Sequence, residues 1–483
     1  MIPYIIRTFR GGISDESDKG VPGSFKHGHN LDIHSRDDVL KCGSSVVTAN
    51  ESLFNDLVQF FVPATDGSTY AFGSRGSIYS RSGNIDDGEW NFAYNDENGN
   101  IKGAAEFQLS DGITYMYWAT ASSIARRAMN TGGKDLPWTN AVQDYKVEAI
   151  SSSAVWHTMK LAAGQLNIAN ADSLATITYA DAFSPAGLNI RPGNLINTVE
   201  EKDDRVILGS TRGDQNEEGH LWSWLTTESN YGQKKRIPIK GVNSIIDTEF
   251  MILQGGDEGE LFVAGFGDTP QIAKISGRGK TNPGGVSILD DLAVFGIYDS
   301  IYPGIWSYGR RGKNRSFALN YEYRLAKTVA GSSISTIGAI AVIDGNLLAS
   351  WGTTDGSTSD YGVDQVSSTT KVSQAIYEGL EFDAGNPHLS KTVDSIALTM
   401  SPLPSGTSVS AKFKQNKESD WRYAVMAGES TTFSTTGGTI AIFSIGKPAR
   451  IYEVGVELNA SGMDSPEIQS VISYLSKESF EFA

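Results

Sequence analysis

The chain has 483 residues, 39% of them hydrophobic and 10% aromatic, with 52 glycines; that is room for sizeable cores and, on length, for two or three domains. It carries 40 Lys and Arg against 56 Asp and Glu, a formal net charge of −16, which argues against a sequence-specific nucleic-acid surface, because phosphate contacts need clustered cations. A single cysteine, Cys42, excludes an intrachain disulfide, and no apolar run approaches the roughly 18–20 residues that span a bilayer.

Residues 1–47 read as an irregular lead-in. Met1–Phe9 is apolar but short and is broken by Pro3 and Arg7, so it does not read as a signal peptide. Ile2, Tyr4 and Ile6 alternate with other residues and predict a strand. Then come Phe9-Arg10-Gly11-Gly12-Ile13, a polar stretch, Gly23-Ser24-Phe25, Asn30-Leu31-Asp32-Ile33 and Val39-Leu40-Lys41-Cys42-Gly43.

Residues 48–371 carry a repeat. A Gly- or Ser-rich turn followed by a few β-prone residues recurs, with anchors at Ile78, Ile124, Leu174, Trp222, Phe262, Ile305 and Leu348. The steps between anchors are 46, 50, 48, 40, 43 and 43 residues. A period of roughly 40–50 residues built from strands marks a β-propeller blade. A four-stranded sheet cannot cover its own apolar faces, so it stacks on its neighbours around an axis. Seven anchors predict seven blades. In such a ring an end strand often completes the last blade, and the strand expected near Ile2–Ile6 suits that place. Leu292–Ile297 is continuously apolar, as a strand buried on both faces would be. Leu53–Phe61 and Pro466–Ser476 could form short helical turns that do not set the class, and Leu57–Val62 also reads as a strand of the first blade.

From residue 372 to 483 the period stops and clean alternation replaces it. Ile396, Leu398 and Met400 share one face, then Val409, Ala411 and Phe413, then Ile440 and Ile442. Tyr452, Val454, Val456 and Leu458 alternate with Glu453, Gly455 and Glu457, the pattern of a half-buried strand with one polar face. With turns at Pro402–Gly406, Gly437-Gly438 and Ser461-Gly462, this predicts an antiparallel β-sandwich. The fold class is therefore all-β, a propeller of about seven blades followed by the sandwich.

Little in the sequence carries chemistry. Asp86-Asp87-Gly88-Glu89-Trp90 has the flavour of the aspartate box of propeller sialidases, but the Trp arrives early and Asn84 holds the Ser position. Such a box is in any case a structural turn. Arg126, Arg127, Arg205 and Arg310 are available to a sialidase, yet their spacing follows no family pattern, and no carboxylate pair stands out for a glycosidase. His27 and His29 point the same way on a strand and, with His34, form the one histidine cluster; a polar surface strand is the plainer reading than a metal site. Asp96-Glu97-Asn98-Gly99-Asn100 lacks full calcium-loop spacing and reads as a hairpin loop. Gly279-Lys280-Thr281 lacks the Gly that a phosphate loop needs where Lys274 stands. Arg310, Arg311, Lys313 and Arg315 read as a solvated basic loop. No catalytic, cofactor-binding or metal-ligating residue is assigned, and no cofactor is expected.

The lead-in from Phe9 to Gly43 resembles the opening of many bacteriophage tail proteins. These share a Phe-x-Gly-Gly-apolar start, a polar gap, an Asn-apolar-Asp-Ile strand and a Leu-Lys-x-Gly turn. That family has Arg before the closing Gly, where this chain has Cys42. The order of elements at the other end, with Asn459–Ile468 as a loop before a last strand, is similar to the sandwich that follows the propeller in several such proteins. The resemblance implies a non-enzymatic structural component of a virion tail, nozzle-like or adaptor-like. It would be made in the host cytoplasm and assembled as several copies with other tail proteins. A host-receptor or glycan-binding propeller and a propeller glycosidase are the alternatives.

Overall fold

Short runs rich in Val, Ile, Tyr, Phe and Trp, punctuated by Gly and Asp turns, favour strands joined by tight hairpins. The computed structural model bears this out: every named element is a strand. It describes residues 2–14, 22–36, 38–50, 54–82, 90–129, 147–213, 218–256, 260–263, 271–274, 279–297, 303–312, 316–326, 334–355, 358–385 and 387–476. The chain divides into two units. One comprises Val47–Gly304 and Leu325–Gln365; the other comprises Met1–Val46, Ile305–Arg324 and Val366–Ala483.

Among the described residues, seven four-stranded sheets follow one another along the chain. Blade one is Val58–Pro63, Ser68–Gly73, Ser77–Ser82 and Asn91–Asn95. Blade two is Gly103–Gln108, Thr114–Ala119, Ser123–Ala128 and Val147–Ala149. Blade three is Met159–Ala162, Gln165–Asn170, Ser173–Thr178 and Phe183–Asn189. Blade four is Asn194–Lys202, Arg205–Arg212, Gly219–Trp224 and Gln233–Ile237. Blade five is Val242–Asp247, Met251–Gly255, Glu260–Val263 and Gln271–Lys274. Blade six is Val286–Leu289, Leu292–Ile297, Gly304–Gly309 and Ala318–Arg324. Blade seven is Ile334–Ile343, Asn346–Asp355 and Thr358–Lys371, with Ser44–Thr48 as its fourth strand.

The first strands touch in order, one to two and onward to seven, and the first strand of blade seven touches that of blade one. This makes a closed wheel. A shared core lies between blades one and two, where Phe60, Phe72 and Ile78 pack on Met116 and Trp118. Another closes the ring: Val58, Ala71 and Tyr79 of blade one pack with Ala339, Ala341, Leu348 and Val363 of blade seven. Burying a large apolar side chain contributes about 1.5–3 kcal/mol, so each seam is held by several such contributions. At the closing seam Ser350 Oγ donates to Val58 O at 2.6 Å and accepts from Ala339 N at 2.6 Å.

The repeat anchors fall on the third strand in blades one to six and on the second strand in blade seven. There the third strand begins Thr358-Ser359-Asp360-Tyr361, without the Gly-then-apolar start that the pattern seeks. The run Leu292–Ile297 is buried at every position, as expected for a strand covered on both faces.

The sandwich has two sheets. One runs Ile2–Ile6, Ile468–Leu475, Lys391–Met400, Ile440–Ala449. The other runs Gly12–Ile13, Ser24–His29, Gln374–Gly379, Tyr452–Asn459, Ser408–Gln415, Arg422–Tyr423. Phe25, Tyr377, Ile396, Leu398, Phe443, Val454 and Val456 fill the core between them.

Four expectations change. The strand Ile2–Ile6 forms, but it pairs with Ile468–Leu475 in the sandwich rather than closing the ring; the strand that completes blade seven is Ser44–Thr48. The described part of 53–61 and of 466–476 contributes strands, not helical turns, because edges and neighbouring strands offer pairing that outweighs weak local preference. Ile440 and Ile442 are 56% and 54% exposed, while the alternate residues Ala441 and Phe443 are buried. Phe443 supplies more buried area than either Ile, and register follows it. Finally, Glu453 and Glu457 are buried on a central strand, covered by cations from other strands of the sheet.

Candidate functional site

Two features are built from the sequence upward: the lead-in motif and one rim of the wheel. The motif is consumed in packing. Phe9 is 1% exposed and meets the Tyr377 ring edge-on at 5.4 Å. Gly12 has φ +69°, and a Cβ there would overlap the Leu319 backbone, so only glycine fits. Asn30 also has positive φ, 59°, and its Nδ2 donates to Gln374 O at 3.1 Å. Asp32 Oδ1 accepts from Ser35 N at 2.9 Å and His34 N at 3.2 Å, and Oδ2 lies 3.6 Å from Lys41 Nζ. Burial would raise the Asp32 carboxyl; the Ser35 donors and Lys41 hold it below the usual range instead. Gly43 N donates to Asn30 O at 2.8 Å, which closes the turn. Cys42 is fully buried, its thiol pushed up to about 11 by that burial, and its Sγ donates to Leu458 O.

The rim is acidic. The hairpins between first and second strands carry Asp66, Asp111, Asp203, Asp204, Glu249, Asp290, Asp291 and Asp344, and no Lys or Arg. Local turn chemistry selects these residues. Asp66 Oδ1 accepts from Ser68 N and Oδ2 from Tyr70 OH; Asp111 repeats this with Ile113 N and Tyr115 OH. Asp203-Asp204, Asp290-Asp291 and Asp344-Gly345 have positive φ at both positions, the two-residue hairpin geometry that Asp, Asn and Gly tolerate. Cations nearby are spent between blades. Lys160 pairs with Glu200 at 2.7 Å and Lys202 with Asp247 at 2.7 Å. Glu201 accepts from Ala163 N, and Glu106 from Thr65 N. The same chemistry that makes tight turns thus leaves a ring of carboxylates on one face of the wheel.

Apart from the His27–His29 pair, the other candidates are not brought together. His27 and His29 lie side by side, ring centroids 5.7 Å apart, and burial lowers them to about 4 and about 3. His34 sits apart, its Nε2 3.3 Å from Glu322 Oε1, which also accepts from Ser307 Oγ at 2.5 Å. No group of three or more His, Cys, Asp or Glu with metal-holding geometry occurs among the described residues. Residues 83–89 of the box-like stretch lie outside the described residues; Trp90 packs on Phe54 and Phe61 under Arg81. Asp96 is a structural turn residue: Oδ1 accepts from Asn98 N, and Oδ2 from Trp118 Nε1 at 2.7 Å. Thr281 N donates to Gln254 Oε1 in a buried junction, not to an open anion loop. Arg126 is held by Asp181 at 2.8 Å and by Tyr117, over the Tyr115 ring. Its neighbour Arg127 points to the opposite face of that strand, and Arg205 opens the second strand of blade four. Arg310 stacks on Phe317; Lys313 and Arg315 lie outside the described residues.

Sequence reading missed the ionic layer on the outer face of the six-stranded sheet. Lys412 Nζ lies 2.6 Å from Glu457 Oε2, which also accepts from Tyr423 OH at 2.9 Å, while Gln374 Nε2 donates to Oε1 at 2.7 Å. Burial would raise Glu457, but Lys412, Tyr423 and Gln374 hold it low. Lys26 reaches Glu453 at 3.1 Å. The signal was present as Lys412 and Lys414 alternating with Ala411 and Phe413.

No family model matches the chain, and no curated protein matches it. Among solved structures it is similar to the extracellular domain of a putative hybrid two-component system from B. thetaiotaomicron. The identity there is 14% and the TM-score 0.46, over 79% of this chain and 44% of that one, so this chain spans less than half of it. It is also similar to the WD40 β-propeller domain of Doa1, at 11% identity and TM-score 0.44, covering 67% and 97%. A streptogramin B lyase matches at 9% identity and TM-score 0.43, covering 67% and 98%. No helix among the described residues is long and apolar enough to cross a membrane.

Proposed function

We propose that this chain is a non-enzymatic structural protein of a bacteriophage tail, present in several copies and bound to other tail proteins. One observation carries the reading. The described residues of the tail-protein-like segment Phe9–Gly43 are taken up in packing and turns, and the strand directly after it, Ser44–Thr48, completes the last blade of a closed wheel. Its role is mechanical: a rigid ring displays loops to its neighbours, and copies are arranged around the tail axis. The acidic rim adds a second support. Carboxylates facing a DNA path repel phosphate and let the genome pass without sticking.

The receptor-binding alternative needs aromatic side chains clustered on one propeller face. The exposed aromatics described on the wheel, Phe92, Tyr179 and Phe250, lie at the same end of three non-adjacent blades, one, three and five, and so form no single cluster; that alternative gains no support. The glycosidase alternative gains none either. Immunogold labelling of particles encoded by the same genome tests the reading. Gold on the tail supports it. Gold absent from particles, or turnover of a chromogenic glycoside by the purified protein, overturns it.

A further inference from the structure

Blade four ends on Gln233–Ile237, which holds Lys234, Lys235 and Arg236 and no carboxylate. Pairing sorts these cations. Lys234 lies opposite Trp222 and Arg236 opposite His220, which in turn lies opposite Ser210. Arg212 is two residues beyond Ser210, so side-chain alternation puts all of them on one face of the blade. Lys235 lies opposite Leu221 and takes the other face. The first face packs on blade three, where Leu174, Leu188 and Ile190 share a core with Leu208 and Trp222. Arg191 comes next in the chain, on the link that enters blade four at Asn194, opposite Arg212. Arg212 ends the strand that the Asp203-Asp204 hairpin begins, so this corner lies at the end of the seam away from the acidic hairpins.

Counter-charge is short here. Elsewhere on the wheel Lys160, Lys202 and Arg126 have a carboxylate at 2.7, 2.7 and 2.8 Å. In this corner Arg236 has Glu218 at 2.8 Å, and Arg212 is also engaged. Arg191 and Lys234 have no carboxylate partner among the described residues, in a chain with 56 acidic side chains. Lys234 is nevertheless held in place. Trp222 is fully buried with its Nε1 donating to Ser210 Oγ at 2.8 Å, and Lys234 Nζ sits 4.7 Å from the centre of that ring, a cation–π contact. Partial burial lowers the Lys234 ammonium, Arg191 and Arg212 push it further, and Glu218 opposes them. His220 is 3% exposed, and its Nδ1 has no hydrogen-bond partner. Burial and the charges of Lys234, Arg212 and Arg236 lower it to about 4 against the pull of Glu218, so it is neutral at pH 7. Cations gathered round a buried neutral imidazole are stabilised by an incoming anion.

We infer that this end of the seam between blades three and four is an oxyanion site, in which Arg191 and Lys234 hold a phosphoryl group. Charge selects the ligand class: two cations without counter-charge match a dianion better than a single carboxylate. Trp222 is fully buried, so no nucleoside ring stacks on it. The net charge of −16 disfavours a long polyanion such as duplex DNA. A free phosphate ion and a phosphate monoester present the same oxygens, and titration separates them. The site stands apart from the tail reading: it survives if the chain proves absent from particles.

Nuclear magnetic resonance of the full chain with isotope-labelled histidine, near neutral pH and at constant ionic strength, reads the site through the His220 ring, assigned with His220→Gln. Inorganic phosphate, glycerol phosphate, acetate and a short DNA duplex are titrated in turn. Phosphate or glycerol phosphate should move the His220 resonance saturably, with a dissociation constant on the order of 1 mM for so small a ligand. The tighter of the two identifies the source as the free ion or a monoester. Acetate should bind about tenfold more weakly, and Arg191→Ala and Lys234→Ala should each weaken phosphate by about tenfold. Lys235→Ala, the same change of charge on the opposite face, should leave binding unchanged. Arg191 is exposed on a link, so its variant should keep the wild-type melting temperature even if Lys234→Ala, which also loses the contact with Trp222, does not. No saturable shift with either phosphate, equal binding of acetate, tighter binding of the duplex, or an equal loss in Lys235→Ala would each overturn the inference.

Discussion

The histidine pair gives the sandwich a defined acid sensitivity. His27 and His29 sit on one strand, and burial lowers them to about 4 and about 3. Arg324 pushes on both rings, and His27 and Lys412 push on His29, while Glu457 pulls the other way. The folded values lie below the unfolded value of roughly 6.5, so the unfolded chain takes protons first. Stability from the pair is complete above about pH 6.5 and is lost as pH falls towards the folded values. By linkage, each ring removes about 2 kcal/mol by pH 5 and the pair about 4 kcal/mol, because at that pH both rings stay neutral in the folded chain and both charge in the unfolded one. Hydrogen exchange read by mass spectrometry on Ser24–His29 and Gln374–Gly379, at about pH 7.5 and pH 5 after correction for intrinsic rates, measures this. In the wild type, protection should drop by about three powers of ten more than in His27→Gln/His29→Gln, at about 1.4 kcal/mol per power of ten. Equal drops in both proteins would refute the reasoning.

Other consequences follow from single contacts. Gly338 lies at the closing seam, where a Cβ would strike Val58 O; Gly338→Ala should destabilise the wheel by about 1–3 kcal/mol through overpacking, seen as a lower urea midpoint, and an unchanged midpoint would count against a tight seam. Trp351 Nε1 donates to Asp364 Oδ1 at 2.7 Å; Trp351→Phe leaves that carboxylate short of a donor and should cost about 1–3 kcal/mol in the same assay. Lys412→Met strands the buried Glu457, so its stability deficit should be largest near neutral pH and shrink as acid protonates Glu457; a pH-independent deficit would argue against the pair.

The wheel was legible because its period survives in the sequence. A Gly- or Ser-rich turn followed by apolar residues marks the third strand in six of the seven blades, as the anchors from Ile78 to Ile305 show. What was not legible depends on pairing between distant segments. Nothing local to Ile2–Ile6 tells whether it meets Ile468–Leu475 or a blade, since both partners accept an alternating strand. Ile440 and Ile442 looked like core residues by hydropathy, yet Phe443 sets the parity of that strand. Glu453 and Glu457 looked solvent-facing because their cations, Lys26 and Lys412, come from other strands. The acidic rim was hidden as turn chemistry: each Asp is explained by its own hairpin, and only the fold gathers them on one face.

Cryo-electron microscopy of the intact particle tests the central claim most directly. The account predicts several copies around the tail axis, each showing seven radial sheets closed into a wheel, with the turns at Asp66, Asp111, Asp203 and Asp290 lining the DNA path. A tail map with no such wheels, in particles whose mass spectra lack this chain, would contradict it.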